Sequence, residues 1–414
     1  MKKSLIALAA LAAVSAASAQ SSVTLYGVVD IGYGAQKTQS RDGTYSSRSS
    51  GVMDGANAGN RIGFRGTEDL GGGLKANFVV EQGISPTSGN LFGQRNNSAG
   101  QQGINQYPSA SAAIQGSVSG FSPATNRQSY VGLSSDGIGT LNVGYQYTIG
   151  YELGTLSGYN IGSEGAPGAY TSHLIGVTQY AGGARANGLT YISPAFGGGF
   201  TVRAQYGALG AATETSTVAT AGATSAQATG RRYALMGQYA NGPLSAALAY
   251  TNVRATTVAI SALTAAPGAT AGATPTTIGG VANANQANRV GNLVQLGASY
   301  DFGVVKLAGT YNTGRDGGTA LTTTSSRYRG YQVGLSAPFG AIVPFVTVGR
   351  AYTLLDGSAT GRSADVNQAQ IGVRYSLSKR TTAYAFYGRT ADNAAAATAA
   401  YKDTKTIVGV AHSF

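Results

Sequence analysis

The residues of this chain that could do chemistry are few, and most are arginines set one apart from apolar neighbours. In RIGFRGTEDLGGGLKANFVVEQG (residues 61–83), Arg61, Gly63 and Arg65 alternate with Ile62 and Phe64. Across a glycine turn, Lys75, Asn77, Val79 and Glu81 alternate with Leu74, Ala76, Phe78 and Val80. Arg203 stands between Val202 and Ala204, and Arg374 between Val373 and Tyr375. Guanidinium groups placed this way attract and orient anions. Two unit charges ~4 Å apart interact by roughly 1 kcal/mol in water and by several times more at lower effective dielectric.

Catalysis has little to work with. The chain has 2 His and no Cys; no G-x-S-x-G elbow surrounds His173, and His412 belongs to the terminal segment. Metal-ligand spacings and a glycine loop followed by Lys-Ser/Thr are absent as well. The expectation is therefore no catalytic residue, no metal and no cofactor. A hydrolase built on His173 is the enzymatic alternative.

The elements that must hold these arginines are strands. The arms on either side of the turn at 71–73 have period two, the repeat of a sheet with unlike faces. The same pattern of about ten alternating residues recurs sixteen times, from VTLYGVVDIG through NRIGFRGTE, LKANFVVEQ and RQSYVGLSS to TTAYAFYGRT and KTIVGVAHSF. Short turns at 69–73, 136–139, 194–199, 241–243, 301–303, 338–341 and 378–379 alternate with long connections, among them 83–124, 150–186, 208–230 and 254–288. Strands of ~9–11 residues joined by short turns on one rim and long loops on the other mark a transmembrane β-barrel. An open sheet of this size would leave two long, weakly charged edges, whereas closure pairs every amide. Tyr26, Tyr33, Tyr147, Tyr206, Tyr250, Tyr300, Tyr311 and Tyr375 near strand ends are expected to form aromatic girdles.

Composition agrees. The 414 residues include 62 Gly and 25 Tyr, no Trp, and only 11% charged side chains, too few for an ordinary soluble surface. MKKSLIALAALAAVSAASAQ has a basic start, a short apolar core and a small-residue site at Ala17-Ser18-Ala19. It reads as a signal peptide over 1–19, leaving 20–414 as the barrel. The apolar core is shorter than the ~20 residues a spanning anchor helix needs. Losing Lys2 and Lys3 leaves 26 basic against 16 acidic residues, a charge of +10. Basic clusters with interleaved aromatics are missing, so no nucleic-acid partner is expected. The last segment puts Thr406, Val408, Val410, His412 and Phe414 on one face and ends on a free phenylalanine.

With SSVTLYGVVDIGYG, NRIGFRGTEDLGGGLKANFVVEQG, NRQSYVGL followed by TLNVGYQY, YISPAFGG and the final Phe414 in view, the chain resembles the Gram-negative general porins of beta-proteobacterial type from end to end. The resemblance implies an all-β fold: a 16-stranded antiparallel transmembrane β-barrel with short periplasmic turns and long outer loops, the third folded into the lumen. It implies a homotrimer in the outer membrane and passive diffusion of small hydrophilic solutes and ions. It also implies contact with outer-membrane lipid and lipopolysaccharide, and delivery by the barrel-assembly machinery through the signal Val410, His412, Phe414. The loop over 83–125 reaches a neighbouring barrel in the family.

In the family a ladder of wall arginines faces acids on the third loop. Arg61 falls on a wall-arginine position, and Arg65 shares its parity; Arg185 lies near another such position, while Arg203 and Arg374 point inward by alternation alone. Glu152 and Glu164, on the third loop, either anchor that loop or supply the negative side of a transverse field. Where relatives read Gly-Arg-Gln-Tyr, this chain has Gly144-Tyr145-Gln146-Tyr147, which bears on anion selection and on the width of the gap. Rings of arginine favour anions, so an anion-favouring pore is expected. The alternatives are a substrate-specific anion channel and an exported β-rich adhesin.

Overall fold

A computed structural model describes residues 22–40, 43, 46–88, 126–155, 158–163, 184–209, 225–260, 286–316, 325–355, 362–393 and 401–414. The strands in chain order are β1 (Ser22–Ser40), β2 (Ser46–Asp54), β3 (Arg61–Gly71), β4 (Leu74–Gly83), β5 (Asn126–Ser135), β6 (Gly139–Tyr147), β7 (Arg185–Ile192), β8 (Phe200–Leu209) and β9 (Ser225–Asn241). They continue as β10 (Leu244–Ile260), β11 (Gln286–Asp301), β12 (Lys306–Asp316), β13 (Ser326–Ser336), β14 (Ile342–Leu355), β15 (Arg362–Ser376), β16 (Thr381–Asp392) and β17 (Tyr401–Ser413). Apart from β2 and β3, neighbours in sequence pair antiparallel, and β1 closes the ring on β17 with Val28 opposite Ser413 and Ser40 opposite Tyr401. No edge remains, as hydrocarbon surroundings require.

Sixteen barrel strands are found where sixteen were expected, because β2 and β3 are two halves of one. The far half of β1 pairs with β2 and its near half with β3. The break at 55–60 has a cause that alternation does not reveal. Buried Asp30 accepts the backbone N–H groups of Asn57 and Ala58, both at 2.6 Å, and its carbonyl takes that of Gly55 at 2.8 Å. The carboxylate thus diverts the second strand into the lumen for six residues. β2 itself, SSRSSGVMD, is too serine-rich to read as a strand.

Alternation sorts the side chains. Val23, Leu25, Phe64, Val80, Leu248, Val333, Val348 and Val408 are exposed on the outer surface, while Gln295, Asn312, Gln332 and Gln370 are buried inside. Six of the eight strand-end tyrosines are exposed as a girdle requires. Tyr26 and Tyr147 turn inward instead, to Glu81 and Arg127. The turn at 71–73 carries φ of +83, +61 and +79 in succession, a path only glycine follows without strain.

Inside the barrel the described part of the third long connection lies against the wall. It contains a single short helix, α1 (Ile149–Gly154), whose Tyr151 N–H is capped by the Thr148 hydroxyl. Residues 1–19, read above as a signal peptide, lie outside the described residues, as do Glu164, His173 and most of the long connections.

At the seam Gly27 and Phe414 exchange two backbone hydrogen bonds of 3.2 and 3.1 Å, and the Phe414 ring covers Gly27 so closely that a Cβ there would collide with it. Deleting Phe414 removes both bonds, at ~0.5–1.5 kcal/mol each. The urea midpoint of refolded protein should drop by the equivalent of about 1–3 kcal/mol; an unchanged midpoint would deny the seam this role.

Candidate functional site

A cationic surface runs along the inner wall from β3 to β9. Glu81, inward on β4 and nearly buried, is its counter-charge. Its carboxylate accepts Arg127 Nε at 2.6 Å and the Tyr26 hydroxyl at 3.1 Å, with Arg61 Nε at 3.6 Å. Arg127 also donates to the Tyr147 hydroxyl at 2.6 Å. The Arg185 guanidinium stacks 4.9 Å above the ring of Tyr147, which lies 5.0 Å from that of Tyr151 on α1. Arg61, Arg127 and Arg185 are thus assembled around one carboxylate and one aromatic ring.

Arg203 takes a different partner. Its Nη1 meets both oxygens of Glu152 at 3.0 Å. Gln205, two residues on, accepts the Ile149 N–H at 3.4 Å and donates to the Tyr147 carbonyl at 2.8 Å. The start of the loop is therefore fixed to β8 by charge and by hydrogen bonds. Burial pushes the Glu152 carboxyl above its ordinary range, and Arg203 opposes that shift.

The loop is then carried round the wall. Ile149, Leu153 and Tyr159 pack on Ala234, Met236, Ala247 and Ala249 of β9 and β10. Gln295 donates to the Gly150 carbonyl at 3.1 Å, and Tyr159 bonds Ser245 at 2.8 Å. Wall glycines make the room: a Cβ at Gly297 would strike the Tyr159 ring, and one at Gly334 would meet Ile161. At the far end Ser163 N–H donates to Gln370 at 2.6 Å. Arg374 clamps this end, donating to the Gly162 carbonyl and, at 2.9 Å, to Asn57 Oδ1. The Ser163 hydroxyl reaches the Ala56 carbonyl, so the loop ends on the segment that Asp30 holds.

Among the sequence candidates, Arg61 and Arg185 belong to the Tyr147 cluster, and Arg203 with Glu152 joins the loop to the wall. Arg374 is inward but holds the loop rather than standing opposite it. Arg65 is set apart, exposed, and stacked 5.2 Å from the Tyr26 ring. Glu164 lies outside the described residues. Tyr145 follows Gly144, whose φ of +139 interrupts the alternation; its phenol is within electrostatic reach of fully buried Arg232 on β9. At the C-terminus Val410, His412 and Phe414 share the outer face, with His412 Nδ1 2.9 Å from the Thr381 hydroxyl.

Sequence reasoning missed Arg127, Arg232, Asp30 and the role of Glu81. Glu81 and Arg232 have inward parity, and alternation alone finds them. Arg127 does not: a bulge between Glu81 and Gln82 shifts the register so that Gln82 faces Asn126, and this turns Arg127 inward.

A family model described as Gram-negative porin matches residues 7–395. The chain is 31% identical to an outer membrane porin protein of Bordetella pertussis, with all of both chains covered. It is 33% identical to outer membrane porin protein 32 of Delftia acidovorans, covering 93% of this chain and 88% of that one. Among solved structures, an anion-selective porin from Comamonas acidovorans superimposes with a TM-score of 0.61 at 25% identity, over 95% of this chain and 100% of the other.

Two outcomes follow from this geometry. A carboxyl raised by burial keeps its proton at a pH where the unfolded chain has lost it, so its ionised form is what burial penalises. As pH falls towards the ordinary glutamate range, ~4.3, Glu152 should therefore neutralise ahead of exposed acids and leave Arg203 unbalanced. Reversal potentials in a salt gradient should then move in the anion direction, and Glu152→Gln should abolish that step. Separately, Gly297→Val should unseat Tyr159 at a cost of ~1–3 kcal/mol, leaving strand content intact while single-channel conductance rises.

Proposed function

This chain belongs to the Gram-negative porin family, and from that premise we propose which of its residues decide what crosses. It is an outer-membrane porin, through whose lumen small hydrophilic solutes and ions diffuse passively. We assign the selective wall to Arg61, Arg127, Arg185, Arg203 and Arg232, with Glu81 and Glu152 as its carboxylates. Five cations against two anions leave this stretch at +3, and that excess is the observation carrying an anion-favouring pore. Glu152 anchors the loop rather than opposing the wall. Arg65 contributes to the field below the narrow part, and Arg374 fixes the loop end.

The remaining assignments belong to the same reading. Residues 1–19 are removed on export, and Val410, His412 and Phe414 form the signal read by the assembly machinery. The working unit is a homotrimer, for which the exposed outer face with Val23, Leu25, Phe64, Val80 and Val131 supplies an apolar contact surface. Relatives of this chain are channels, and we propose that this one also catalyses no reaction.

Refolded protein in a planar bilayer under a KCl gradient should give a reversal potential of chloride sign. Arg61→Gln and Arg185→Gln should each lower the chloride-to-potassium permeability ratio by roughly two- to fivefold, the effect of up to ~1 kcal/mol. A wild-type potential of potassium sign would overturn the anion reading while leaving the pore intact.

A further inference from the structure

The six residues 55–60, between β2 and β3, carry no charge, yet guanidinium groups from three parts of the wall meet on them. Arg61 Nη1 donates to the Gly59 carbonyl at 3.1 Å, and Arg374 Nε donates to Asn57 Oδ1 at 2.9 Å. Gly59 also lies against Arg127, so closely that a Cβ there would displace the Arg127 guanidinium. On the side away from these cations, Ala56 is buried in an apolar cluster with Ile161, Phe386 and Ile407. The segment is thus a second inward projection beside the third connection, and it touches Arg61 and Arg127 of the cationic wall.

What shapes this segment is one residue of β1 rather than the sheet. Asp30 is fully buried. Its Oδ2 accepts the N–H groups of Asn57 and Ala58, and its Oδ1 accepts the Tyr384 hydroxyl, all at 2.6 Å. The backbone of Asp30 adds two more ties, from its N–H to Asn60 Oδ1 and from the Gly55 N–H to its carbonyl. The start, middle and end of the segment are therefore all bonded to a single side chain and its own peptide groups. Tyr384 comes from β16, beyond β17, and crosses that strand at Gly409, where a Cβ would collide with the Tyr384 hydroxyl. Hydrogen bonds to an ionised carboxylate are roughly twice as strong as neutral ones, and an acceptor-only group suits three converging donors.

We propose that Asp30 is a positioning residue for ion selection: by holding 55–60 inside the lumen it sets where the guanidinium groups of Arg61 and Arg127 stand, and it makes that segment one side of the narrow passage. This rests on the porin reading, whose selective arginines it positions. The effect is opposite in sign to that of a bare buried charge. A carboxylate acting through its field repels anions, so removing it by any substitution would raise chloride preference. A carboxylate acting through geometry can be replaced by an amide, whose oxygen still accepts the two N–H groups and whose NH2 can donate to the Tyr384 oxygen, but not by a methyl group.

The test uses the full refolded chain in a planar bilayer under a KCl gradient, with strand content followed by circular dichroism. Asp30→Ala should lower the chloride-to-potassium permeability ratio roughly twofold, as expected when guanidinium groups leave the passage, and raise single-channel conductance while strand content stays the same. Asp30→Asn should retain most of the wild-type ratio and conductance. Gly59→Leu lies between strands and tests the same contact even where Asp30→Ala fails to fold: it should lower the ratio by moving Arg127, without raising conductance. A higher ratio in both Asp30 variants would make Asp30 a field effect and overturn the proposal. So would an Asn variant that behaves like the Ala variant, or ratios unchanged in both Asp30→Ala and Gly59→Leu. Absence of conductance from well-folded wild type would strike the pore reading itself, whereas a conducting wild type with unaltered variants strikes the role of Asp30 alone.

Discussion

Every other feature of this molecule depends on one constraint: in hydrocarbon an unpaired backbone amide costs several kcal/mol, so the sheet has to close. Closure is made by β1 and β17, from opposite ends of the described chain, in an unbroken register of thirteen residue pairs. Once the ring is shut, period two ceases to be a preference and becomes a sorting rule. Each strand must offer lipid one face and water the other, and a charged residue of the wrong parity would cost ~2–4 kcal/mol at midplane. Arg61, Arg185, Arg203 and Arg232 face the lumen for that reason. Their concentration there follows from the sheet and not from attraction among themselves.

A closed ring of this size encloses more space than side chains fill, and the third connection occupies part of it. Its docking uses departures from an ordinary polar wall. The inner faces of β9 and β10 carry Ala234, Met236, Ala247 and Ala249, which bury Ile149, Leu153 and Tyr159; further round, glycines replace side chains where Tyr159 and Ile161 must pass. Polar ties then fix the two ends, Glu152 on Arg203 and Ser163 with Gly162 on Gln370 and Arg374. The apolar contacts supply adhesion, and the polar ones supply position. Asp30 extends this logic, since the backbone it gathers at Asn57 and Ala58 is the same segment that receives the loop's far end.

Much of this was legible in the sequence, because alternation, turn length and the terminal phenylalanine are local properties. The sixteen barrel strands, the short turns and the inward parity of Arg61, Arg203 and Arg374 could all be read without coordinates. What escaped is what depends on contact between distant segments. Met236 and Ala234 look like a second apolar face of β9, and only the presence of α1 explains why a lumen wall is apolar there. Arg127 carries the wrong parity until the bulge opposite Gln82 is known. Tyr26 and Tyr147 look like girdle residues by their place near strand ends, yet Tyr26 shares the inward parity of Asp30 and Tyr147 meets the Arg127 guanidinium inside. β2 was invisible because nothing in SSRSSGVMD shows that its partner, β1, extends beyond the membrane band.

The placement of charge then bears on the tyrosine at position 145. The family resemblance puts an arginine where this chain has Tyr145, and its loss from β6 would weaken a wall built from a single column of cations. Here the wall is broad. Arg232 lies within electrostatic reach of that phenol from three strands away, and Arg127 is delivered from β5 by a bulge. The acids do not undo this, because each is bound to the wall itself: Glu81 lies between Arg61 and Arg127, and Glu152 is bonded to Arg203. A carboxylate held within 3.6 Å of a guanidinium cancels charge locally and projects little field across the gap, whereas the surplus cations act at the distance a passing ion experiences. In the proposed anion-favouring pore, preference then rests on the surplus along the wall rather than on any one arginine, which leaves room for tyrosine at position 145.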